Sequence, residues 1–292
     1  MSHFKTPKLS ENSKRVYDYN IGRWIGAFKK TVDIMYIVEH LKESLNVLKK
    51  CEYIKDTATN RHIFISAIVA YIEHELLDKG GYVERLDEWK KERTENSGGL
   101  RERYLTGAPT ELQKDKVRTW EDILKVRDGL DVGSTKALLG MYTYINPMRA
   151  DYYACRLCKE GESNEAVDNY IVMGEKVWKL VIQEYKTAKR YGKIEIEMPN
   201  ELRELLMAYL KDSTRSYLFV NESDEPFTRK SFSTWSTRRL SAAFGSPCTL
   251  TSIRHVYTSR LDFNGSLLGL VCIASGMGHS VSTQRQYRWE SE

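Results

Sequence analysis

The stretch TLTSIRHVYTSRLDFNGSLLGLVCIASGMGHSVSTQRQYRW, residues 249–289, carries Arg254 and His255 side by side, a Gly-Met-Gly-His run ending at His279, and Tyr287 eight positions later. A tyrosine set among arginine and histidine points to a nucleophile facing a phosphate. Arginine presents a planar fork of donors to phosphate oxygens, and histidine donates a hydrogen bond near neutral pH. That chemistry exists only if the chain folds these residues together, so the elements that carry them decide the matter.

Two further cationic positions lie upstream. Arg149 follows the Asn146-Pro147 break, which ends a helix expected over Ser134–Ile145 and lets a new one open at Met148. Taken alone, Arg149 is better explained by a surface pairing with Asp151. Three segments of strand composition follow, Asn169–Met173, Val177–Tyr185 and Lys193–Met198. The turn between the last two, KTAKRYG, carries Lys186, Lys189 and Arg190. A lysine at a hairpin tip neutralises a phosphate or gives a proton to a departing oxygen, although a solvated basic turn explains each lysine singly as well. Beyond it, helices are expected over Pro199–Lys211 and from a cap at Thr228 or Ser231 to Phe244. Arg229, Lys230, Arg238 and Arg239 on the latter read as phosphate-positioning groups or as an ordinary exposed face.

Residues 1 to about 110 read as mostly helical. Ser10 or Ser13 caps a helix with Tyr17, Ile21, Trp24, Ile25 and Phe28 on one face; Ile34 to Leu48 form a second apolar stretch. A third helix starts near Thr57 and stops at Gly80-Gly81. Residues 92–116 are charged and contain Gly98-Gly99, Gly107 and Pro109, so they are expected to form an extended linker. It separates a helical domain, 1–105, from a second domain, 117–292, that opens with Thr119 as helix cap and Asp122 in the first turn.

The 292 residues are enough for two domains with their own cores. Hydrophobic residues at 41% and charged residues at 29% are those of a soluble globular chain, and a net charge of +5 permits nucleic-acid binding without requiring it. There is no apolar run of membrane-spanning length and no signal peptide, which implies an intracellular protein, in the cytoplasm or in the nucleus of a eukaryotic host. Five cysteines read as reduced thiols. Cys155 and Cys158 form a CxxC, but no second Cys/His pair stands at zinc spacing, so they are read as buried helix residues and no metal is expected.

Arg149, Lys186, Arg254, His279 and Tyr287, in that order, resemble the catalytic domain of the tyrosine recombinase/phage-integrase family. PMRADYYACRL is similar to its first arginine box, LTSIRHVYTSRL to its second, and MGHSVSTQRQY to its terminal His/Trp-plus-Tyr box. The RADYY and MGHS wording is nearer to integrase-like proteins of large eukaryotic DNA viruses and mobile elements. The resemblance covers residues 117–289, with residues 1–105 in the position of the family's core-binding domain. It implies a mainly α fold with a small antiparallel β-sheet, and two domains that clamp duplex DNA.

The chemistry implied is attack by Tyr287 on a DNA phosphodiester, leaving a 3′-phosphotyrosyl bond and a free 5′-hydroxyl, without cofactor, metal or ATP. Arg149, Arg254 and His279 would stabilise the phosphate charge, and Lys186, or alternatively Lys189, would protonate the leaving oxygen. The partner implied is double-stranded DNA, with a tetramer assembling on it. Three departures stand out: Thr251 occupies the position of the family's second-box histidine, His279 and Tyr287 are one residue closer than usual, and only five residues follow Tyr287. A monomeric type IB topoisomerase and an architectural DNA-binding protein with an impaired site are the alternatives.

Overall fold

In the computed structural model, residues 2–54, 57–106, 118–162, 168–261 and 267–285 are described. The chain divides between Leu105 and Thr106 into two compact units.

The first unit is helical throughout. Ser10 caps α1 (Glu11–Gly26) by accepting from the Ser13 amide. The apolar stretch after it splits at His40 into α2 (Ile34–Glu39) and α3 (Leu41–Lys50). Thr57 caps α4 (Ala58–Tyr71), which runs on through a π-helical turn and a 3-10 turn to Gly80, whose φ of 77° ends it. Trp24 and Trp89 meet edge to face at the centre, and each indole N–H donates to a main-chain carbonyl, of Ser44 and Val38 respectively.

The expected linker is corrected over its first part, because α5 runs from Val83 to Thr106 straight through Gly98-Gly99. Glycine in a helix costs about 1 kcal/mol each relative to alanine. Here tertiary bonds offset that cost: the Asn96 amide donates to the Ala58 carbonyl at 2.9 Å, and Ser97 Oγ bonds His62 Nδ1 at 3.0 Å. Residues 107–116 of that stretch lie outside the described residues.

The second unit packs helices around a small sheet. Thr119 and Asp122 form a reciprocal capping box at α6 (Trp120–Gly129), followed by α7 (Ser134–Thr143). Strands β1 (Arg156–Lys159), β2 (Tyr170–Met173), β3 (Trp178–Ile182) and β4 (Ile194–Glu197) lie in the order β1-β2-β3-β4. The three expected strands are β2, β3 and β4, joined antiparallel with Ile171 opposite Leu180 and Leu180 opposite Ile196. The sheet is nonetheless mixed, since β1 pairs parallel with β2. β1 takes up Cys158, and Cys155 just before it is also buried, so the CxxC belongs to a strand and its approach instead of a helix.

A short helix α8 (Ala188–Tyr191) sits in the β3–β4 turn; α9 (Asn200–Leu210), α10 (Arg229–Phe244), α11 (Leu250–Ser259), α12 (Leu267–Gly276) and α13 (Val281–Arg285) follow. Leu180, Ile182, Leu202, Phe232, Ile253 and Met277 share one core, so strands, Arg254's helix and the Gly-His turn are set against one another by packing. Among the described residues, no helix is long and apolar enough to cross a membrane, and no cluster of His, Cys, Asp and Glu could hold a metal ion.

Candidate active site

Arg149 does not open a helix. Residues 149–154 form a bend and a turn, because bonds from elsewhere hold the backbone out of helical register. The Tyr142 hydroxyl donates to the Arg149 carbonyl, and the Asn169 amide donates to that of Asp151 at 2.8 Å. Nor does Asp151 pair with Arg149 on the surface. It is 1% exposed, and its Oδ1 accepts from Arg229 Nη2 at 2.7 Å, with Arg229 lying over the Tyr153 ring. Of the four cations read on α10, Arg229 is therefore occupied in holding this turn.

Asn169 joins that turn to the lysine-bearing one. Buried immediately before β2, it donates to the carbonyls of Asp151 and Glu184 and accepts from the amides of Gln183 and Glu184, all at 2.8–2.9 Å. All four hydrogen-bonding positions of its side chain are used, a fully satisfied buried polar group. Immediately beyond Glu184, Tyr185 is buried and its hydroxyl closes the turn on the Gly192 carbonyl at 2.7 Å. Lys186 and Lys189 are both exposed on this turn.

His279 is set by the end of α12. The amide of Gly278 bonds the Ser275 carbonyl and that of His279 bonds the Ala274 carbonyl, with Gly278 left-handed at φ 68°. This is a Schellman closure, in which the residue after the left-handed glycine has its backbone fixed. Ser280 then caps α13 through the Thr283 amide, so the histidine is gripped on both sides. A β-carbon on Gly278 would lie 3.0 Å from the Tyr185 ring, and only glycine lets the two turns come this close. The Gly278 carbonyl receives Thr187 Oγ1 at 2.5 Å, and Arg149 Nη1 lies 3.4 Å from it.

Arg254 projects from α11 into the interior at 1% exposure. Its charge and that of Arg149 act on His279, whose pKa is lowered to about 4, first by burial and then by these two guanidinium groups. Nδ1 of His279 is 3.1 Å from the Ser280 carbonyl, an acceptor only, so Nδ1 carries the proton of the neutral ring. Thr251, on the first turn of α11, is exposed, and His255, half-buried, projects about 100° around the helix from Arg254. Tyr257 packs inward: its hydroxyl donates to Asn146 Oδ1 at 2.6 Å and its ring meets Trp120. Asn146 also lies against Gly276, where a β-carbon would be 2.6 Å from its Nδ2.

Arg149, Arg254 and His279 are thus brought into one electrostatic neighbourhood, with the Lys186 turn docked on the residue before the histidine. Tyr287 lies outside the described residues. Asn169, Thr187 and the Gly278 carbonyl escaped sequence reasoning. Only Gly278 left a readable signal, a glycine just past a helix end.

The low pKa of His279 carries a stability consequence. Folded, it binds a proton less readily than the unfolded chain, so its contribution is intact above pH 6.5 and is lost as pH falls towards 4. The full loss is about 3 kcal/mol. Urea unfolding of His279→Gln across this range should show a shallower pH dependence than wild type. Equal slopes would contradict the buried neutral ring.

No family model and no curated protein matches the sequence. Solved structures do match, each over 98% of this chain. A crystal structure of a lambda integrase dimer bound to a COC′ core site aligns with a TM-score of 0.55 at 13% identity, over 76% of that chain. Crystal structures of XerA recombinase and of XerH site-specific recombinase bound to difH substrate align at 14% identity with TM-scores of 0.42 and 0.36, over 89% and 96% of those chains. The likeness to lambda integrase, together with the helices around a small mixed sheet, identifies the architecture: this chain has the tyrosine recombinase/integrase fold.

Proposed function

We propose that the chain is a site-specific DNA recombinase or integrase that cleaves and rejoins duplex DNA through a 3′-phosphotyrosyl intermediate, with residues 1–105 as a second DNA-binding domain and residues 117–292 as the catalytic one. The observation that carries this reading is the convergence of Arg149, Arg254 and His279 beside the docked Lys186 turn. Two guanidinium groups suit the non-bridging oxygens of a phosphodiester and stabilise the charge that grows on them during attack. His279, with Nδ1 committed to Ser280, donates to that phosphate only from Nε2 of the protonated ring. The phosphate's negative charge opposes the arginine field that otherwise holds the ring neutral.

Tyr287 is the proposed nucleophile. Its attack exchanges one phosphoester for another, so the bond energy is kept for rejoining and no ATP is needed. Lys186 is favoured over Lys189 as donor to the leaving 5′-oxygen, because both its neighbours, Tyr185 and Thr187, touch Gly278. Lambda integrase was solved bound to a core site, which supports duplex DNA as the partner here; assembly of a tetramer on that DNA is part of the proposal.

A pool of nicked duplexes with a randomised core tests the proposal. A covalent protein–DNA band on a denaturing gel is expected, and sequencing the captured DNA should return one preferred site. Binding without any adduct would leave an architectural protein, and relaxation of supercoils by a monomer would indicate a topoisomerase. Thr251→Ala is expected to slow cleavage only modestly, well short of the roughly 100-fold or more that removal of a general acid–base group brings. Complete loss in a single-turnover assay would give Thr251 a larger role.

A further inference from the structure

Thr187 precedes α8 in the position of a helix cap, yet its side chain makes no capping bond. The hydroxyl is turned outward from its own helix and donates to the Gly278 carbonyl, 91 positions along the chain, at 2.5 Å. Tyr185, two residues earlier, lies against the same glycine and locks the turn by donating to Gly192. Lys186 stands between these two anchored neighbours with its side chain exposed. The backbone of Lys186 is therefore fixed with respect to His279 before any DNA arrives, although the side chain itself is long and flexible.

We propose that Thr187 is a positioning residue, which docks the turn on the Gly278 carbonyl and so brings the Lys186 ammonium to the phosphate held by Arg149 and His279. The assignment rests on the strand-cleavage reading above. In that step the tyrosyl oxygen–phosphorus bond forms and the phosphorus–O5′ bond breaks. The electron pair leaves on O5′, which takes a proton from Lys186 Nζ, and the tyrosyl proton passes to solvent. Proton donation needs hydrogen-bond reach of the leaving oxygen, and a displacement of about 1 Å costs on the order of 100-fold. Without the Thr187 bond, one of the two tethers beside Lys186 is gone while the core beneath is untouched.

Substituting sulfur for the bridging 5′-oxygen separates positioning from mere folding. A thiolate leaves without needing a proton near neutral pH, so a defect confined to proton donation disappears on that substrate. The full chain is assayed on two randomised nicked-duplex pools, one with oxygen and one with sulfur at the bridge. Thr187→Val is expected to slow covalent capture about 10- to 100-fold on the oxygen pool and less than about 3-fold on the sulfur pool. Thr187→Ser, which keeps the hydroxyl, should match wild type on both. Equal slowing of Thr187→Val on the two pools, or wild-type capture on oxygen, would overturn the positioning role. Absence of any adduct with the wild-type chain on either pool would instead overturn the cleavage reading and take this inference with it.

Discussion

Replacing Tyr287 with phenylalanine is expected to abolish the covalent protein–DNA adduct while leaving folding and DNA affinity in place. The substitution removes one oxygen and keeps the ring, so the loss should be confined to chemistry. The chain holds 18 tyrosines, and the structure disqualifies the competitors nearest the site. Tyr257, three residues from Arg254, spends its hydroxyl on Asn146, and burial raises its pKa. Tyr142 and Tyr152 are buried outright, and desolvation raises both well above the usual phenol value. A phenol that must lose its proton to attack is poorly served by such surroundings. Peptide mass mapping of an adduct retained in Tyr287→Phe to any of these three would refute the nucleophile assignment.

Arg254→Lys should slow single-turnover cleavage by about 100-fold or more, the range that follows loss of one preorganised donor to a developing oxyanion. Lysine keeps the charge but not the planar fork, so it cannot grip two phosphate oxygens from a buried helix face. Arg254→Gln adds a readout that needs no DNA. The Arg254 charge is one of the forces that depress His279, so removing it should lift the histidine's titration above its present value of about 4, while Arg254→Lys leaves it low. An NMR titration of His279 unchanged in Arg254→Gln would show that the two residues do not share a site. Cleavage by Arg254→Lys within a few-fold of wild type would remove Arg254 from the phosphate.

What was legible in the sequence is what is decided locally. Ser10, Thr57, Thr119 and Thr228 all cap helices as their residue types imply, since a cap bond spans three residues. Strands β2 to β4 showed their composition and alternation. β1 did not: RLCK is four residues long, and its partners are Tyr170–Met173 on one edge and residues around Tyr217 on the other. The helix through Gly98-Gly99 was hidden for the same reason, its support coming from Ala58 and His62. Of the candidate site, Arg149, Arg254 and His279 stood out in the sequence by their charge and chemistry, and the fold brings these three together. The residues that join them did not stand out, because Asn169 and Thr187 are types most often found at surfaces.

The meeting point of the two turns is a peptide oxygen, and that has a consequence for how such a protein changes over time. Replacing the side chain at 279 cannot delete the Gly278 carbonyl, and an alanine at 278 would report on the left-handed backbone and the Tyr185 ring while leaving that oxygen in the chain. Its one imprint in the amino-acid alphabet is the glycine that tolerates the left-handed backbone and the Tyr185 ring above it. A centre whose joints are main-chain atoms can therefore hold its shape while nearly every letter around it drifts.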